Sequence, residues 1–583
     1  MAAGKSELER KEARLVLKGH AVSEGIALAP ALLYAPQALN VAPAYLSSRT
    51  ADEAVAAVEA ALRRADGDLA ALIDAFPASE ADQAKIFAAH REILADEELQ
   101  QAIFDNIREE NMSAEYAVYA ACETFIELLK NVGNETIALR AADVADVRGR
   151  LIRALRGETE CSLSRLPGDC ILVAHDLLPS DTASMDRQHV LGIVTETGSD
   201  TSHTAILARS FRIPALVGVK DALSLIRNAQ TLLLDAEAGT LIVSPDASEI
   251  ETGRKKRARR LARQNAAAAY LAKPACTKDG TRIQIGLNIG SDGDEIPAHA
   301  DFVGLFRTEF LYMNADRLPT EDEQFAAYCR VLKKAGERPV TLRTLDIGGD
   351  KTLRYLELPK EANPFLGKRA LRLCFDEPEL FQTQLRAALR ASAFGRLQIM
   401  FPMVGSVDDI RRAKAFVMEA KSELRARNEA FDEAVRLGVM IEIPSVAMAA
   451  DLAAREVDFA SIGTNDLCQY LFAADRMNPE LSEYCQPFAP AFLRVLRQII
   501  FSFQAAGKEL SMCGELAGDP RAAALLAGLG LRKFSMNASA AAEVKAALSR
   551  IDAGAAEQLA AEAMALSTQA EVLTLLSNRG DPE

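Results

Sequence analysis

No stretch of the 583-residue sequence is apolar for long enough to cross a bilayer, and the opening segment MAAGKSELERKEARLVLKGH mixes acids and bases where a signal peptide needs an apolar core. Neither membrane insertion nor export is expected, and the chain reads as cytoplasmic. Cysteine is scarce: nine, at Cys122, Cys161, Cys170, Cys276, Cys329, Cys374, Cys468, Cys485 and Cys513, form no C-x-x-C pair and no metal-type Cys/His spacing. A disulfide scaffold and a structural zinc site are thereby set aside, and reduced thiols are expected. Basic surplus is also lacking, with 67 Lys and Arg against 82 Asp and Glu and a net charge of -15, so no nucleic-acid partner is expected. An anionic substrate would need a local arginine cluster. Internal repeats and long low-complexity tracts are absent.

What is present divides into blocks. At 583 residues, 49% of them hydrophobic, the chain is long enough for several cores. Residues 1–40 include GHAVSEGIALAPALLYA, a short apolar, glycine-marked segment that reads as strand and turn. Residues 41–156 carry long helical periodicity and are expected to form a helical bundle. In residues 157–250 short β-branched runs alternate with turns, giving a small α/β unit whose sheet the early strand joins, so that the helical block is an insertion. Residues 251–273, with RKKRARRLAR, read as a solvated helical linker, and Gly253 with the helix from Arg254 to Tyr270 is a candidate hinge. From 274 to 575 eight apolar runs alternate with helical stretches: IQIGLNIG, FVGLFRTEF, VTLRTLDIGGD, LQIMFPMVG, VMIEIPS, FASIGTNDL, LSMCGEL and KFSMNAS. The predicted fold is a multidomain α/β chain, a mobile α/β unit with an inserted bundle followed by a (β/α)8 barrel.

Polar residues within the barrel runs gather at one end. Arg307, Arg343, Glu442, Asn465, Asp466 and Glu515 each follow the apolar part of a strand, where barrel enzymes build their sites. Glu442 and Asp466 offer the hard oxygen ligands that Mg2+ prefers, and Arg307, Arg343 and Arg476 offer planar forks for phosphate and carboxylate oxygens. Gly348 and Gly349 in LDIGGDK would let the main chain approach a ligand, with Lys351 adding charge, or would form a structural turn with a surface lysine. Cys513 is either an inert buried thiol or an acid or base.

One histidine of six has a setting that gives it work. His203, in TETGSDTSHTAILARS, falls where a strand passes through a Gly/Ser/Asp turn into a helix. Free N–H groups at that helix start would hold a phosphate, Thr201 and Ser202 would orient the ring, and a neutral imidazole is a nucleophile near pH 7. His20, His175, His189 and His299 read as structural. His90, beside Lys85 and Arg91, is either functional or a solvated helix residue.

These segments, with NPFLGKRALR, ASAFGRLQIMFPM, SIGTNDLCQY and MCGELAGD in that order, resemble the enzyme I family of the bacterial phosphoenolpyruvate:sugar phosphotransferase system, from about Gly19 to Leu575. The resemblance implies a phosphoenolpyruvate-protein phosphotransferase that phosphorylates His203, passes the group to the histidine-containing carrier protein HPr and releases pyruvate. It implies that Arg307 and Arg343 hold phosphoenolpyruvate, that Asn465 and Arg476 contact its phosphate, that Glu442 and Asp466 bind Mg2+, and that Cys513 protonates the enolate. Asp466 then serves both substrate and metal, and the resemblance also brings Arg369 near the substrate. It further implies that the helical block docks the carrier and that the barrel forms a homodimer. The chain departs from the family pattern at Ser199 and Asp200, where a second Gly and often Arg are usual, at Cys468 for Thr, and at Lys368 for Trp. With no GAF-type segment before Gly19, the sugar branch is expected rather than the nitrogen-regulatory one.

Overall fold

The computed structural model describes residues 14–579 apart from 35–40, 47–49, 76–80, 132–134, 158–162, 164–165, 167, 178–180, 182–184, 199–202, 212, 314, 316, 350, 352, 354 and 357–360. The chain divides into two compact units, residues 1–260 and 261–583.

The first unit holds an eight-stranded sheet of β1 (Leu15–Lys18), β2 (His20–Ser23), β3 (Ile26–Tyr34), β4 (Cys170–Ala174), β5 (Val190–Thr195), β6 (Ala215–Val217), β7 (Thr231–Asp235) and β8 (Thr240–Val243), in the order β1-β8-β7-β3-β4-β5-β6-β2. The nine-residue β3 joins its two halves: Ile26 to Pro30 pair antiparallel with β7, and Ala31 to Tyr34 pair parallel with β4. Among the described residues, five helices intervene between β3 and β4 in sequence: α1 (Ala51–Ala75), α2 (Ala81–Leu94), α3 (Glu97–Arg108), α4 (Ala114–Asn131) and α5 (Glu135–Arg156). Their alanine-rich sequences favour helix, and local caps fix the ends. Thr50 and Glu53 exchange backbone-to-side-chain hydrogen bonds at the start of α1, and Asp96 accepts from the Leu99 N–H at the start of α3. The bundle closes over Leu69, Phe87, Ile103, Ile107, Val118 and Leu151. After β5 comes α6 (His203–Phe211), and after β8 comes α7 (Ala247–Ala268). Gly253 lies inside α7, where a Cβ would stand 2.6 Å from Leu233 Cδ1. Its lack of a side chain therefore serves close packing, a role that a hinge reading of this glycine did not anticipate.

The second unit is the barrel. Strands β9 (Gln284–Ile289), β10 (Phe302–Arg307), β11 (Val340–Arg343), β12 (Leu397–Phe401), β13 (Arg436–Ile441), β14 (Phe459–Ile462), β15 (Glu509–Met512) and β16 (Lys533–Met536) pair in parallel, and β16 closes on β9. Each of the eight apolar runs of the sequence supplies one strand. Leu305, Met400, Met440, Phe459 and Cys513 pack together as a separate buried cluster contributed by β10, β12, β13, β14 and the end of β15. Among the described residues, no helix is long and apolar enough to cross a membrane.

The entrance to the barrel is tied by one buried cation. Lys545, 3% exposed, donates from Nζ to the carbonyl oxygens of Leu271 at 2.9 Å, Lys273 at 3.1 Å and His299 at 3.2 Å. Replacing it by Met keeps the stem but leaves these acceptors without their cation, a loss of about 2–4 kcal/mol. We expect Lys545→Met to lower the barrel's calorimetric transition by several degrees; a shift under about 1 °C would contradict this role.

Candidate active site

Parallel closure brings the C-terminal strand ends to one rim. Arg307 ends β10 and Arg343 ends β11; Glu442 follows β13, Asn465 and Asp466 open the helix Thr464–Phe472 after β14, Cys513 follows β15, and Arg476 lies beyond that helix. Arg307 is half-buried and has no hydrogen-bond or ion-pair partner among the described residues. The Asn465 side-chain oxygen accepts the Glu515 N–H at 2.9 Å.

Cations and carboxylates alternate across this rim. Asp346 stands at the centre: its oxygens meet Arg343 Nη1 at 3.1 Å, Lys351 Nζ at 3.3 Å and Arg369 Nη2 at 3.0 Å. Glu309 pairs through one oxygen with both Arg343 Nη2 and Lys351 Nζ, the latter at 2.8 Å. Arg369 extends the chain to Asp466 at 3.2 Å, and Arg476 lies 3.9 Å from the same Asp466 oxygen. Tyr470 accepts from Arg369 and donates to the Phe365 carbonyl. Burial alone would raise the Asp346 carboxyl, but Lys351, Arg343 and Arg369 together hold it well below the ordinary range. Burial likewise opposes the charges on Glu309 and Arg343, and their mutual attraction overcomes it.

Glu442 has the opposite balance. It is buried, accepts the Met403 N–H with one oxygen, and is pushed up to about 8 by burial and by the carboxylates of Asp466 and Asp346. Its neighbours leave it under-compensated. Cys513 is buried at 4% exposure, and burial pushes its thiol up to about 11, so it is a protonated thiol at neutral pH.

Three features of the rim were not visible as site residues in the sequence: Glu309, Asp346 and Tyr470. Two further expectations change. Gly348 adopts φ +110°, and a Cβ there would lie 2.5 Å from Arg369 Cβ and 2.7 Å from the Lys368 carbonyl oxygen, so the glycine makes room for Arg369. Lys351 is no surface lysine but a member of the ion-pair chain. Lys368 turns outward to Asp376 at 2.6 Å. Because ionisation of the Cys513 thiol is penalised, its alkylation by iodoacetamide, followed by mass spectrometry, should rise about tenfold per pH unit up to about pH 11. A plateau near pH 8 would contradict this.

In the first unit, Gly198 adopts φ +116° in the turn after β5, and His203 is the first residue of α6. Ser199, Asp200, Thr201 and Ser202 lie outside the described residues, as does the His203 side chain. His90 is not a solvated helix residue: it is fully buried on α2, 3.5 Å from Asp143 and 3.9 Å from Asp146 of α5. His175 pairs with Glu196 and His189 with Asp186.

Comparison with known proteins agrees with this division. Models described as PEP-utilising enzyme, N-terminal, PEP-utilising enzyme, mobile domain, and PEP-utilising enzyme, PEP-binding domain match residues 18–140, 166–239 and 264–553. The chain is similar, at 42% identity over 564 residues, to the phosphoenolpyruvate-protein phosphotransferase of Bacillus subtilis (strain 168), with 96% of this chain and 99% of the relative covered. The enzymes of the same name from Geobacillus stearothermophilus and Listeria innocua serovar 6a also share 42% identity over 96% of this chain, with 97% and 98% of the relative covered. With a closed parallel barrel carrying arginines and carboxylates at its rim and near full-length similarity of this degree, the chain belongs to the phosphoenolpyruvate-protein phosphotransferase family.

Proposed function

We propose that the barrel rim of this chain binds phosphoenolpyruvate and that His203 receives its phosphoryl group. The observation that carries this reading is a set of unspent donors: the Nε–H groups of Arg343, Arg369 and Arg476 are buried and have no hydrogen-bond partner among the described residues. A buried guanidinium N–H without an acceptor is costly, and three such groups on one rim fit the recognition of a small polyanion. Arg307, with no hydrogen-bond or ion-pair partner among the described residues, supplies a further free fork.

In this mechanism the imidazole of His203 attacks phosphorus, the N–P bond forms as the P–O bond to the enol breaks, and the leaving group is pyruvate enolate. Arg307, Arg343, Asn465 and Arg476 hold the phosphate and carboxylate oxygens and stabilise charge as the group transfers. The protonated Cys513 thiol delivers a proton to the enolate carbon to give pyruvate. His203 then passes the phosphoryl group to the active histidine of an HPr-type carrier docked on the helical block, which requires movement of the unit that carries His203.

Glu442 and Asp466 fit a divalent cation. The under-compensated Glu442 carboxyl is raised in part by the Asp466 carboxylate, and its second oxygen has no hydrogen-bond partner among the described residues. Mg2+ held there would offset negative charge on the phosphoryl oxygens. We assign the homodimer to the face where the mutually packed helices Pro444–Met448, Ala450–Glu456 and Pro490–Ala505 expose Met448, Leu452 and Phe501. We further propose that the reaction takes place in the cytoplasm.

Incubation with phosphoenolpyruvate labelled on phosphorus, in the presence of Mg2+, tests the reading. Acid-labile label should appear on the wild-type chain and not on His203→Ala. An unlabelled wild type would overturn the relay, and pyruvate formation without protein labelling would indicate a barrel that acts alone.

A further inference from the structure

Glu309 has no role in the steps above, yet it is one of the most thoroughly buried charges in the barrel, at 0% exposure. Its carboxylate is used unevenly. One oxygen takes both Arg343 Nη2 and Lys351 Nζ, while the other, equally buried, has no hydrogen-bond partner among the described residues. A carboxylate serving only to fill the core would be costly in this state, because a buried acceptor is left empty. Its position is explained if its task is to fix the direction of two cations.

The main chain around Arg343 does not depend on Glu309. Thr308 donates its hydroxyl to the Arg343 carbonyl at 2.8 Å, Gln384 donates to that hydroxyl at 3.1 Å, and the Leu345 N–H reaches the Gln384 side-chain oxygen at 2.8 Å. These bonds hold the end of β11 independently. What Glu309 controls is the guanidinium: Arg343 Nη1 is held by Asp346 and Nη2 by Glu309, which leaves Nε as the unspent donor.

We propose that Glu309 is a positioning residue for phosphoryl transfer, holding Arg343 and Lys351 so that their charge is pre-oriented toward the transferring group. This rests on the assignment of the barrel rim as the phosphoenolpyruvate site. Two consequences of opposite sign follow. Removing the negative charge makes the rim more positive, so a bound polyanion is held as well as before or more tightly. Losing the fixed direction of Arg343 weakens the interaction that matters only in the transition state, so turnover falls.

Glu309→Gln, close to isosteric, separates these effects. Steady-state pyruvate formation in the presence of carrier should show kcat reduced about 10- to 100-fold with the KM for phosphoenolpyruvate unchanged or lower. Calorimetric titration with phosphoglycolate, a non-reacting phosphorylated carboxylate, should show affinity equal to or tighter than that of wild type. A kcat within about threefold of wild type overturns the proposal. So does a parallel loss of kcat and phosphoglycolate affinity, the result of a disordered site. If the Gln variant does not fold, Glu309→Asp keeps the charge and shortens the reach. It is expected to lose turnover while keeping phosphoglycolate binding, and wild-type turnover in it likewise overturns the proposal. Failure of the wild type itself to turn over phosphoenolpyruvate would instead strike the site assignment.

Discussion

The barrel rim depends on Asp346. A carboxylate at 2% exposure would be driven to protonate by burial, yet contact with three cations keeps it ionised. In return it joins side chains from three separate segments: Arg343 at the end of β11, Lys351 in the following loop, and Arg369 ahead of the next helices. Without that shared anion, Arg343, Lys351 and Arg369 would repel one another across a poorly solvated space. With it they form one ion-paired cluster on the rim.

Opposite balances of charge are set side by side on this rim. Around Asp346 and Glu309 positive charge prevails and the carboxylates are held ionised; around Glu442 negative charge prevails and the carboxyl is pushed up. The first region suits a polyanionic substrate and the second suits a divalent cation, so the local imbalances are complementary to what the proposed reaction brings together. Cys513, in a hydrophobic cluster, stays a neutral thiol for the same reason that Glu442 is raised, namely burial.

Much of this was legible in the sequence. The eight strands announced themselves because each buried strand of a parallel barrel is a short unbroken apolar run, and the polar residue that ends the run marks the rim. Arg307, Arg343, Glu442 and Asp466 were found in that way. Glu309 and Asp346 were not, because each lies within three residues of an arginine already assigned and reads as part of its motif. A count of charge would have exposed them: arginines placed deep at a barrel mouth need nearby anions beyond Glu442 and Asp466. Gly348 was recognised as special, but its partner, Arg369, comes from a segment twenty residues away and only folding reveals the contact. His90 was hidden for the same reason, since the residues that bury it belong to other turns of the bundle.

The central claim is that Arg369 holds the substrate with a planar guanidinium fork and not with its positive charge alone. Arg369→Lys tests it most directly, because the charge is kept while the planar fork and its unpartnered Nε–H are lost. Calorimetric titration of the intact chain with phosphoglycolate should show affinity reduced about tenfold or more in this variant. Affinity equal to that of wild type would mean that charge alone holds the ligand, and would contradict the account.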